Sequence, residues 1–189
     1  MSGQIFISYR REDSRWSTQS LYGRLCARFD REQILMDIDA ISPGDDFVRA
    51  IEKMVSECDV LIAVIGMNWL SSTDEKDARR LDNAEDFVRR EIATALKRNI
   101  RVIPVLVDGA AMPRSTDLPD DLKSLVSRHA VEVSHDRFGP DSERLIGAVE
   151  RASAPDAVKP IQRRRWARLS AGFLAVVVIA VAAIFLYYY

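Results

Sequence analysis

The chain has 189 residues, 48% of them hydrophobic, which is room for one medium domain with a true core plus a short appendage and too apolar for disorder. A formal net charge of −1 gives no whole-chain attraction to a polyanion, so no nucleic-acid partner is expected. Its two cysteines, Cys26 and Cys58, lie on apolar stretches away from any Cys/His cluster, which argues against a disulfide framework or a zinc site and for free buried thiols.

In chain order, the opening residues lack a basic region followed by an apolar run and are not expected to form a signal peptide. Gln4–Ser8 reads as a first strand, and Leu21, Leu25 and Phe29 at four-residue intervals predict a helix over Thr18–Arg31. A short strand, Ile34–Met36, leads into a loop at Asp37–Asp46 whose Pro43-Gly44 suggests a turn. Asp45 or Asp46 then caps a helix with Phe47, Ile51, Met54, Val55 and Cys58 on one face. Asp59–Ile65 is a nearly unbroken apolar run, as a strand covered on both faces requires.

Residues Gly66–Asn83 form a long polar connection, and loops of that length usually bind something or move. A helix follows at Asp86–Arg98, a strand at Arg101–Val107, a short helix near Asp120–Val126, a strand near Ala130–Val133 and a last helix over Pro140–Ala152. Strands alternating with helices predict a flavodoxin-like five-stranded parallel sheet with helices on both faces. Such sheets take ligands beyond the carboxyl ends of their strands, here Tyr9–Arg11, Asp37–Asp46 and Gly66–Trp69.

The domain is expected to span 1–152, followed by a linker and basic segment, 153–168. That segment carries Lys159, Arg163, Arg164, Arg165 and Arg168 and, from Lys159 onward, no acid. Residues 169–189 hold 21 uncharged positions, and at about 1.5 Å per residue they reach about 30 Å, a bilayer's hydrocarbon thickness. A single C-terminal transmembrane helix is therefore expected, with membrane lipid around it. The basic flank and terminal Tyr187–Tyr189 orient it with the N-terminal domain in the cytoplasm.

Several chemistries are missing. No Gly-x-Gly-x-x-Gly, P-loop or Gly-x-Ser-x-Gly elbow is present. A phosphoacceptor receiver domain shares this strand order but needs acids at the mouth of its first strand to hold magnesium. Ser8-Tyr9-Arg10-Arg11 is an anion-seeking sequence instead.

Three stretches resemble the Toll/interleukin-1 receptor (TIR) family, over about residues 3–152. Ile5-Phe-Ile-Ser-Tyr-Arg-Arg11 is similar to its first-strand box, and Leu35–Phe47 to its second strand and BB loop, with Asp39, Ile41, Pro43, Gly44 and Asp45 as interaction residues. Asp86–Leu96 with Val102–Val105 is similar to the helix and strand that carry the catalytic glutamate of NAD-cleaving members. The resemblance, greatest to bacterial TIR proteins, implies Glu91 as the catalytic carboxylate, NAD+ as substrate, no metal or cofactor, and other TIR domains as partners in self-association. It implies substrate contacts at Tyr9, Arg10, Arg11, Phe47, Trp69 and Phe87, with Arg10 and Arg11 on the pyrophosphate and Phe87 standing where the family often has tryptophan.

Other readings stay open at each position. Glu91 is otherwise a solvated surface carboxylate, Arg10 and Arg11 otherwise pair with Glu12 and Asp13, and Phe47 and Trp69 are otherwise packing residues. Two functions follow. One is a membrane-anchored effector that cleaves the nicotinamide–ribose bond as a glycohydrolase or cyclase. The other is a non-catalytic adaptor that recruits other TIR domains in signalling. A third reading, a membrane-breaching span, fails because no polar face lines the uncharged helix.

Overall fold

The computed structural model describes residues 3–36, 53–55 and 57–153. Five strands, β1 (Ile5–Ser8), β2 (Ile34–Met36), β3 (Val60–Ile65), β4 (Arg101–Val107) and β5 (Val131–Val133), form one sheet in the order β2-β1-β3-β4-β5. Every pairing is parallel, with Ile5 opposite both Ile34 and Val60. This is the flavodoxin-like sheet that the alternation of apolar runs implies.

Side-chain alternation along the strands divides the core in two. Ile5, Ile7, Val60, Ile62 and Val64 face α1 (Arg11–Cys26) and α3 (Phe138–Ser153), against Leu21, Leu25, Leu145 and Val149. Phe6, Leu61, Ala63 and Ile65 face the other way, onto Val88, Ile92 and Ala95 of α2 (Phe87–Lys97) and onto Leu122 and Leu125. Because β3 is buried at all six positions, it reads as a continuous apolar run. Each such large side chain contributes about 1.5–3 kcal/mol of burial.

Helix α1 begins seven residues before its expected start and ends five before its expected end, Arg11 against Thr18 and Cys26 against Arg31. Its first half carries no apolar stripe, and Trp16 there is 83% exposed. What favours helix at that end is charge, since Glu12 and Asp13 lie in the first turn where the helix dipole stabilises carboxylates. Beyond Cys26, Asp30 opens a separate 3-10 turn, Arg31–Gln33, by a capping box. Asp120–Ser127 is likewise a 3-10 segment and not an α-helix.

The connection after β3, expected either to bind something or to move, is a packed cover. Trp69 and Leu81 are fully buried in the second core. Asp74 accepts from the amides of Lys76 and Ala78, Thr73 bridges Arg79, and Arg79 pairs with Asp82 while donating to the Asp117 carbonyl. Enough apolar side chain is buried to offset the ordering of a polar segment.

Both cysteines are free, Cys58 buried and Cys26 partly so. Expected interaction residues Asp39, Ile41, Pro43, Gly44 and Asp45, the expected contact Phe47, and the uncharged span 169–189 lie outside the described residues. Among the described residues no helix is long and apolar enough to cross a membrane.

Candidate active site

Strand β1 ends on Ser8, and the chain then crosses the edge of the sheet to start α1. Helix α2 passes over this point. Its fifth residue, Glu91, lies one turn beyond Phe87, so both project toward the carboxyl end of β1. Ser8 donates its hydroxyl to Glu91 Oε2 at 2.6 Å, and Glu91 is only 6% exposed. The carboxylate is therefore not the solvated surface group that its helix position alone permits. A hydroxyl–carboxylate bond of this length fixes one oxygen of the carboxylate in place.

A cleft opens at this place, with about 510 Å³ of space that includes the solvent at its mouth. Glu91, Phe87 and Val88 form its α2 wall, Ile7, Tyr9 and Arg10 its β1 wall, and Arg11, Glu12 and Arg80 its rim. Tyr9 also packs into the first core and is nearly buried, while Phe87 is 38% exposed. An aromatic ring on each wall and a held carboxylate between them is an arrangement able to stack a planar ring and orient a sugar against a carboxylate.

Arg10 departs from its expected role as a phosphate grip. Its side chain is out of water, and Nη1 and Nη2 donate to Asp86 Oδ2 and Oδ1 at 3.0 and 2.9 Å. A guanidinium at that depth requires a countercharge, and Asp86 supplies it in fork geometry. The alternative partners Glu12 and Asp13 are engaged elsewhere. Glu12 pairs with Arg80, and Asp13 accepts from the Gly66 and Asn68 amides at 2.9 and 2.7 Å. Trp69 is also corrected. It is fully buried under the connection after β3 and does not line the cleft, because its ring fills the second core.

Asp86 organises the site, and sequence reading gave it no role beyond the start of a helix. It is the N-cap of α2, accepting from the Arg89 amide at 3.0 Å, and it also takes Arg10 and, at 3.2 Å, Arg80 Nε. Arg80, which also escaped notice, bridges Asp86 and Glu12 at the mouth of the cleft. The one sequence signal available was an aspartate immediately before an apolar-periodic segment, which marks a cap. Nothing local marks Arg80.

Comparison with known proteins agrees with this architecture. A model of the TIR domain family matches residues 5–146. The chain is 26% identical over 156 residues to a protein named NAD(+) hydrolase SARM1 from Danio rerio, an alignment covering 82% of this chain and 20% of that protein. The chain thus spans about a fifth of that relative's length. Among solved structures, the TIR domains of the activated Roq1 resistosome, described as directly recognising the pathogen effector XopQ, superpose with a TM-score of 0.52 at 14% identity, over 79% of this chain and 98% of that one. A prokaryotic SEFIR domain superposes with a TM-score of 0.50 at 16% identity, over 81% and 99%. These two likenesses concern the fold alone. With the family model covering most of the chain, this protein belongs to the TIR domain family.

Proposed function

We propose that this TIR domain cleaves NAD+ at the nicotinamide–ribose bond when it self-associates, as a signalling effector tethered to a membrane by residues 169–189 with its domain in the cytoplasm. The observation carrying the reading is Glu91, a buried carboxylate held by Ser8 at the wall of a cleft that also holds Tyr9 and Phe87. The name of the SARM1 relative supports the substrate.

The chemistry balances without a metal. Heterolysis of the C–N bond leaves its electron pair on neutral nicotinamide and positive charge on the ribosyl carbon. The Glu91 carboxylate lies where it stabilises that oxocarbenium-like charge or takes a ribose hydroxyl. Water then adds at the carbon and loses a proton, giving ADP-ribose; attack by an adenine nitrogen with loss of its proton gives the cyclic product. Ser8 keeps the carboxylate aimed, and Phe87 offers its face to the departing ring.

Self-association supplies the rest of the pocket through a neighbour's BB loop, in which Pro43 and Gly44 would make the turn. Confinement to a plane raises the effective concentration of such neighbours. The test is chromatography of NAD+ incubated with the full chain at rising concentration. Nicotinamide release should grow faster than linearly with protein and vanish in Glu91→Ala.

A second reading, a non-catalytic adaptor, is favoured by one finding: Arg10, an expected substrate contact, is spent inside the fold on Asp86. Under that reading Pro43→Ala disrupts partner binding while Glu91→Ala changes nothing.

A further inference from the structure

Of the two cations expected to meet a dinucleotide's phosphates, Arg10 is committed to Asp86, and Arg11 stands on the rim of the cleft at Glu91. Past Phe87 and Arg80 a second, wider groove of about 1080 Å³ continues from the cleft, sharing Glu12, Arg80 and Phe87 with it. Arg80 stands at the junction of the two. Its side chain is 29% exposed, its Nε is anchored on Asp86, and its Nη1 reaches Glu12 Oε1 at 3.2 Å. Its Nη2 makes no hydrogen bond among the described residues.

We propose that Arg80 is the pyrophosphate contact of the dinucleotide and that Glu12 holds the place of the anion until it binds. The inference rests on the dinucleotide reading of the cleft. Anchoring through Nε fixes the guanidinium plane, so its Nη edge meets an anion without ordering a free side chain. The bond to Glu12 is the one that gives way. Glu12 has a side chain 67% exposed, and such surface pairs contribute little, so exchanging its carboxylate for a phosphate costs little. Three of the groove's other carboxylates do not repel the anion at full strength, and the exposed Glu75 is followed by Lys76 on the same lining. Asp86 is neutralised by Arg10 and Arg80, Glu85 by Arg90, and Asp74 turns one oxygen to backbone amides.

The arrangement makes two neighbouring substitutions act in opposite directions, which a merely structural Arg80 would not do. Binding of ADP-ribose and of nicotinamide riboside, which lacks phosphate, is measured by calorimetry on the full chain at low salt. Arg80→Gln should weaken ADP-ribose about tenfold and leave the riboside unchanged. Arg80→Lys should recover part of the loss, and Glu12→Gln, a surface change that leaves the fold intact, should tighten ADP-ribose about threefold. Equal weakening of both ligands by Arg80→Gln, no tightening by Glu12→Gln, or no binding of ADP-ribose by the unaltered chain would overturn the proposal. An unaltered chain that binds ADP-ribose with these variant effects, yet releases no nicotinamide from NAD+, would refute the cleavage reading and leave the Arg80 contact standing.

Discussion

Arg10 and Asp86, 76 positions apart in the chain, form a two-bond ion pair sealed from water between the end of β1 and the start of α2. The pair ties the strand that carries Tyr9 to the helix that carries Phe87 and Glu91, and so sets the width of the cleft. Removing one partner of a buried pair leaves the other uncompensated. Asp86→Ala should therefore cost about 3–5 kcal/mol in urea unfolding, because it strands Arg10 and uncaps α2 together. Arg10→Ala should cost less, since Asp86 keeps Arg80 and the Arg89 amide. Equal losses from both substitutions would contradict this account of Asp86.

Gly66 follows β3 where the Asp13 carboxylate presses onto the backbone. A Cβ there would stand 2.4 Å from Asp13 Oδ2, which the Gly66 amide already holds while the Asn68 amide holds Oδ1. Gly66→Ala should destabilise by about 1–3 kcal/mol, as overpacking does. Its effect should shrink in an Asp13→Ala background, where the obstruction is gone. Thermal melts of the four chains in this cycle measure the coupling.

Cys58 is buried, donates to the Val55 carbonyl at 3.0 Å, and has its thiol pushed up to about 12, first by burial and then by the charge of Asp59. The folded chain thus holds this proton more tightly than the unfolded chain does. Stability from this site is complete below the unfolded thiol's value, near 9, and declines as pH rises from there toward 12. Denaturation at pH 8 and pH 10.5 should show the loss, and Cys58→Ala should flatten that slope while lowering stability overall. In native conditions a thiol reagent should label Cys26 well before Cys58.

Trp69 fills the second core, and its buried indole nitrogen has no hydrogen-bond partner among the described residues. Trp69→Phe should accordingly be mild, since it removes an unsatisfied donor along with some volume. Trp69→Ala should cost about 3–5 kcal/mol, as emptying a core aromatic site does. Neither should alter the affinity for NAD+ in chains that remain folded, a separation that binding and melting measurements on the same samples resolve.

The contrast between Trp69 and Glu91 shows where sequence is informative. The sheet and the α2 stripe are legible because burial on both faces makes Val60–Ile65 a continuous apolar run, and burial on one face imposes a period of 3.6 on Val88, Ile92 and Ala95. Tyr9, Phe87 and Glu91 are legible through the resemblance to the TIR family, since helix position alone leaves Glu91 a surface carboxylate. Arg80, Asp86 and the fate of Arg10 are not. Which acid meets which base depends on how the connection between β3 and α2 folds back over the sheet, and no local pattern encodes an ion pair across 76 positions. The same connection hides Trp69, a ring at a strand mouth that turns inward.

Nicotinamide release from NAD+ by the full chain at high density, compared with Glu91→Gln, tests the central claim most directly. The amide keeps the size of the side chain and a carbonyl oxygen to accept the Ser8 hydroxyl, while removing the negative charge that the proposed mechanism sets against the ribose. With an unchanged melting temperature, release should fall by at least about a hundredfold, the scale of a lost electrostatic contact in the transition state. Release by Glu91→Gln at the rate of the unaltered chain would show that this carboxylate does not break the bond.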